Sequence, residues 1–205
     1  MSYTGFKEGD DGMLNYKKLT LETWDDFFTL FQKHKGVRGG CWCAFYLGLS
    51  KDFDYHEKDR HREIHKEHLQ EFGSTGIVVY DDTLPVGYCQ VASYHVIERF
   101  DYSKAYQEIN ELTDGKQNWR ISCIFVDKDH RKIGLASKVF LFAIDHIRSS
   151  GGGWLEVFPF EYEETETNQF TFNGSVPFYL KHGFERVAKL GAREVLMRKY
   201  IESGM

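Results

Sequence analysis

The chain has 205 residues, 41% hydrophobic and 16% aromatic, enough for a single domain over 1–205 to bury a core without disulfides or a structural metal. A formal net charge of −5 and the lack of a long basic run argue against nucleic acid as a partner and slightly favour cationic ligands. No apolar stretch approaches the roughly 18 residues of a membrane span, and the opening MSYTGFKEGDDGMLNYKK lacks the pattern of a secretory signal, so a cytoplasmic protein with no membrane partner is expected.

Residues 1–12 read as a loose lead-in, and MLNYKKLT as a short strand. TLETWDDFFTLFQKHKG is a helix: Thr20 or Thr23 can cap it, Trp24, Phe27, Phe28 and Phe31 recur at helical spacing, and Gly36 stops it. CWCAFYL reads as a strand. Cys41 and Cys43 would share one face of it, and they are expected to be reduced, buried thiols, since a tetrahedral metal site needs two more ligands. Residues 55–73 form a polar helix carrying His56, His61, His65 and His68. His61 and His65 share a helix face, but in HREIH the acid Glu63 stands one place too late for a zinc-protease motif. A solvated face without metal is therefore expected.

TGIVVYDD and LPVGYCQVASY flank a turn at Asp81, Asp82 and Thr83 and predict a hairpin. Residues 98–118 are polar and partly helical, an insertion or long connection. NWRISCIFVD is a strand, IGLASKVFLFAIDHIRS an amphipathic helix and GGGWLEVFPFE another strand. The acidic stretch that follows carries Glu161, Glu163, Glu164 and Glu166, a solvated loop or a negative rim for a cationic amine. SVPFYLKHGF is a short helix with Pro177 in its first turn, and ERVAKLGAREVLMRKYI closes as a hairpin. Strand–helix–strand over 119–159 implies a right-handed crossover and a parallel pair. The hairpins make the rest antiparallel, so the class is α+β with a mixed sheet flanked by helices.

The stretch VDKDHRKIGLASKVF joins a strand end to an apolar helix through basic and small residues. A helix N-terminus offers free N–H groups and partial positive charge. Gly134 lets those groups approach an oxygen closely, Ala136 keeps the first turn slim, and Arg131 and Lys132 add charge. This is a loop suited to phosphate, but it matches neither the nucleotide P-loop nor the dinucleotide fingerprint.

The pattern Arg131-x-x-Gly134-x-Ala136 resembles the acetyl-CoA pyrophosphate loop of the GNAT superfamily of N-acetyltransferases. NGSVPFYLKHGFERV resembles that superfamily's later motif through Asn173, Tyr179, Gly183 and Phe184, in the expected order. The resemblance covers roughly residues 76–200; Lys132 stands where a second glycine is common, and 98–118 exceeds a minimal connection. It implies a GNAT-like sheet whose parallel strands splay around the pantetheine arm. It also implies acetyl transfer by direct attack to the primary amine of a small molecule or peptide, with acetyl-CoA as cosubstrate and no metal. The backbone around Phe125 and Val126 would bind the arm, with the Val126 N–H on the thioester carbonyl. The N–H groups of Arg131, Lys132, Ile133, Gly134, Leu135 and Ala136 would hold the pyrophosphate, and Asn173 would meet the arm near its sulfur. Tyr179 would be the general acid. Glu156, in WLEVFP, is the candidate base, with Asp127 or water as alternates. A non-catalytic acyl-CoA-binding sensor or regulatory module is the competing reading, and a homodimer is left open.

Overall fold

A computed structural model of the protein describes residues 14–47, 54, 56–110, 118–162 and 172–204. The N-terminal lead-in, residues 111–117 of the expected insertion, and Glu163, Glu164 and Glu166 of the acidic stretch lie outside the described residues. One sheet organises the molecule. Its strands are β1 (Leu14–Leu19), β2 (Gly76–Asp81), β3 (Leu84–Ser93), β4 (Asn118–Val126), β5 (Gly153–Val157), β6 (Glu185–Lys189) and β7 (Val195–Ile201). They lie in the order β1-β2-β3-β4-β5-β7-β6, and β4–β5 is the parallel pair while the other neighbours run antiparallel. The expected α+β class with a mixed sheet is what forms.

Helices cover both faces. On one lies α4 (Leu135–Ser149), which sets Leu135, Val139, Phe140, Ala143 and Ile147 at helical spacing against a sheet face where it meets β2, β3, β4 and β7. Beside it α5 (Val176–Lys181) starts where the Ser175 hydroxyl accepts from the Phe178 amide, and Pro177 fits its first turn. The other face carries α1 (Trp24–Lys33) and α2 (Lys58–Phe72). Phe27 and Phe31 of α1 are fully buried against Tyr88 and Phe125, each such ring contributing about 1.5–3 kcal/mol of burial. At the start of α1 the Thr23 hydroxyl accepts from the Thr20 amide at 3.0 Å. A third cluster, built on Phe100, Tyr106 and Phe158, includes α3 (Lys104–Asn110). Phe100 and Tyr106 thus tie this connection into the core. No helix among the described residues is long and apolar enough to cross a membrane.

Two expectations are corrected. CWCAFYL is a run of tight turns, with Trp42 and Cys43 at φ 49° and 51°, conformations no strand uses. The turns drop Trp42 into the core, stacked on Phe28, and Gly36 makes room: a Cβ there would stand 2.4 Å from the indole nitrogen. Tertiary packing overrides the strand propensity of this apolar run. The histidine helix is also not solvated along its whole length. His61 and His65 are buried and donate from Nδ1 to the carbonyls of Gly40 and Trp42, each at 2.7 Å, while the Thr75 hydroxyl bonds His65 Nε2. Their shared face clamps the turn region 40–42. No group of metal-ligating side chains exists among the described residues.

Candidate active site

Strands β4 and β5 pair from Asn118↔Trp154 to Ile121↔Val157; β5 then ends while β4 runs on to Val126. The parting coincides with a bulge, for Ile121 and Cys123 oppose Val91 and Gln90, leaving Ser122 extra. An extra residue increases local twist and re-aims the strand. Beyond it, backbone direction decides what the gap offers. The Asp127 amide donates to Val86 in β3. By the period of two, Phe125 also faces β3, whereas the N–H and C=O of Ile124 and Val126 face the gap. The Ile124 amide donates to the Phe172 carbonyl at 2.6 Å, and no described residue accepts from the Val126 amide. Of the two positions expected to meet an arm, Val126 presents its backbone to the gap and Phe125 does not; Ile124 takes that place.

Past Val126 the chain enters the basic loop. Arg131 folds back, its Nε donating to the Val126 carbonyl at 3.2 Å. Lys132 and Gly134 adopt φ of 67° and 80°, which turns the loop into the first turn of α4. Lys132, the departure from the family pattern, thus accepts a conformation a glycine would hold without cost. A Cβ at Gly134 would meet no atom within 4 Å, and Ile133 is 67% exposed, so the loop faces open space. Among the described residues nothing accepts from the amides of Lys132 to Ala136. Five open N–H groups at the start of a 15-residue helix fit a pyrophosphate.

Tyr179 is fully buried between Phe140, Phe178 and Phe184, and its hydroxyl has no hydrogen-bond partner among the described residues. The ring packs on Gly174, where a Cβ would come within 2.7 Å. Gly174 lies two residues from the carbonyl bonded to Ile124. Burial drives the phenol's pKa well above its usual value, with Cys89 and Cys123 nearby adding to the shift. Asn173, also buried, donates to the Tyr46 hydroxyl at 2.7 Å and to the Phe158 carbonyl at 3.2 Å, tying segment 172–174 to the end of β5.

The two carboxylates considered as bases are engaged elsewhere. Glu156 is fully buried; it accepts from Tyr106 at 2.6 Å, Arg120 at 3.3 Å and Arg198 at 2.7 Å. Arg120 in turn bonds Asp101 and the Ile97 carbonyl. In this network Glu156 is a counter-ion for two arginines, which meets the cost of burying it without a cleft. Asp127 is neither free nor a solvated loop edge. It binds Lys33 and His34 at the C-terminus of α1 and accepts from the Asp129 amide. Burial pushes its pKa up, but the bonds from Lys33, the Asp129 amide and His34 outweigh that and bring it down to about 2.

A pocket opens on the α1 face of the gap. Val37, Arg38, Cys41, Cys43, Phe45, Tyr46, Gln90, Ser122, Cys123, Phe172 and Asn173 line it. Cys43 and Cys123 meet there as reduced thiols, their sulfurs 3.3 Å apart. Sequence reasoning singled out none of Arg38, Tyr46, Gln90 or Ser122, because they come from four separate segments and share no spacing.

Comparison with known proteins follows the same lines. The model of the acetyltransferase (GNAT) family matches residues 42–184. No curated protein sequence matches the chain. Among solved structures, PaiA N-acetyltransferase from Thermoplasma acidophilum, in complex with coenzyme A, is similar at a TM-score of 0.51 and 10% identity, over 91% of this chain and 98% of that one. PH1933 from Pyrococcus horikoshii OT3 is similar at 0.52 and 17%, over 91% and 98%. The loading GNATL domain of CurA from Lyngbya majuscula is similar at 0.53 and 11%, over 92% and 98%. At these identities the likeness to solved structures is one of fold.

Proposed function

The chain belongs to the acetyltransferase (GNAT) family, and from that premise we propose that it transfers acetyl from acetyl-CoA to the primary amine of a small molecule or peptide by direct attack. The observation that supports this most is continuity: the gap-facing edge of β4, bonded to Phe172 at Ile124 and open at the Val126 amide, runs directly into the open amides of Lys132 to Ala136. One extended ligand with amides at one end and phosphates at the other suits that track. When bound, acetyl-CoA supplies the activated acetyl group as a thioester.

In this reading the Val126 N–H holds the thioester carbonyl and favours the charge it gains during attack. Ile124 releases the Phe172 carbonyl and bonds the arm instead. The loop amides, with Arg131 and Lys132 at the rim, bind the pyrophosphate, and Asn173 fixes the segment facing the sulfur. Tyr179 keeps its proton because burial opposes its ionisation, and gives it to the departing sulfur. Glu156 keeps its network together, and the amine loses its proton to water through the open side of the pocket.

The test is thiol release from acetyl-CoA with a panel of primary amines. Amine-dependent release is expected. Tight coenzyme binding with no release for any amine would favour the non-catalytic acyl-CoA sensor.

A further inference from the structure

The pocket beside β4 holds one charged side chain, Arg38, and its remaining polar groups are largely engaged. Gln90 donates to the Cys43 carbonyl at 2.8 Å and accepts from the Ser122 hydroxyl at 2.6 Å. Other arginines nearby are committed: Arg99 to the Phe45 carbonyl, Arg120 to Asp101 and Glu156, Arg198 to Glu156. Arg38 has no ion-pair partner among the described residues, although the protein carries net negative charge. Its position is held by unusual backbone. Val37 and Arg38 stand at φ 58° and 45°, and for a β-branched residue such as Val37 that is a rare and strained conformation. The Tyr46 hydroxyl accepts from Asn173, yet gives its own proton to no described residue. Tyr46 also lies within electrostatic reach of both Arg38 and Glu194.

A guanidinium and a phenol with a proton to give make a carboxylate site. Val37, Phe45 and Phe172 leave the rest of the pocket apolar. We propose that the acceptor is a free α-amino acid with an apolar side chain, its carboxylate held by Arg38 and Tyr46 and its amine directed to the gap beside Ser122. Glu194, also within electrostatic reach of Tyr46, favours the cationic amine end on approach. This rests on the acetyltransferase reading, and it narrows a general amine to a zwitterion.

The experiment compares phenylalanine, phenylalaninamide and 2-phenylethylamine, by thiol release and by calorimetric binding with and without CoA, on the wild type and the Arg38→Ala, Arg38→Lys and Tyr46→Phe variants. Phenylalanine should be preferred. Hydrogen bonds to charged groups contribute about 1.5–3 kcal/mol, so Arg38→Ala should cut the preference for phenylalanine over 2-phenylethylamine roughly 10- to 100-fold, through KM rather than kcat. Arg38→Lys should restore part of it, and Tyr46→Phe should lower it less. Equal or better use of 2-phenylethylamine, or an Arg38→Ala preference equal to wild type, overturns the proposal, as does the absence of phenylalanine binding in both coenzyme states. Failure of CoA itself to bind would instead overturn the acetyltransferase reading, with phenylalanine binding still reporting on the pocket.

Discussion

The amide of Ile124 donates to the carbonyl of Phe172 across 2.6 Å, so a segment outside the sheet pairs with β4 where β5 has ended. The edge of β4 is therefore able to add a strand-like partner. Val126, two residues on, offers the same edge with no described acceptor. In the free protein the Val126 amide should exchange its hydrogen faster than that of Ile124, and saturating CoA should slow it. A Val126 exchange rate that does not change at saturation would place the arm elsewhere.

Gly134 offers a clean separation of binding from folding. Its left-handed φ of 80° means any side chain costs on the order of 1 kcal/mol, but the space around a Cβ is open. Gly134→Glu should fold, with a melting temperature lower by only a few degrees, and lose at least about 10-fold in CoA affinity through charge and bulk at the phosphates. Wild-type affinity in the folded variant would move the pyrophosphate away from this loop.

Tyr179→Phe should make the protein more stable and less active. The buried hydroxyl has no partner among the described residues, and an unsatisfied buried polar group costs about 1–3 kcal/mol. Removing it should raise the melting temperature by several degrees, at roughly 2–4 °C per kcal/mol for a chain of this size. Loss of a general acid should lower turnover about 10²- to 10⁴-fold and spare CoA affinity. A stabilised variant with normal turnover would make Tyr179 a packing residue alone.

Stability should fall in two stages on acidification. His65 and His146 are both lowered by burial to about 4, so the unfolded chain, with histidines near 6.5, binds protons more readily. Their contribution is complete above about pH 6.5 and is lost as pH falls to about 4. Asp127, lowered to about 2 in the fold, contributes fully above roughly pH 4 and loses that contribution as pH falls through about 2. Urea unfolding across this range should show both stages, and Asp127→Asn should flatten only the lower one. An unchanged lower stage in that variant would assign it to other carboxylates.

Much of the scaffold was legible because its signals are local. The β2–β3 hairpin turns at Asp82 and Thr83, and α4 follows the helical spacing of Leu135, Val139 and Ala143. The loop between β4 and α4 declared itself through Gly134, which occupies a positive φ at the junction. What escaped depends on long-range partners. The apolar run around Trp42 and Cys43 carries strand propensity, yet its fate is set by Gly36 and Phe28. His61 and His65 sit in a polar helix, and only the carbonyls of Gly40 and Trp42, some 20 residues away, give their face a burial role. Glu156 looked like a carboxylate needing a cleft; Arg120 and Arg198 supply its counter-charge across neighbouring strands.

Calorimetric titration of the wild type with CoA tests the coenzyme track most directly. We expect one site per chain, with saturation near 100 times the dissociation constant adding roughly 2.7 kcal/mol of stability and that gain lost in Gly134→Glu. No binding heat and an unmoved melting curve for the wild type at millimolar CoA would contradict it.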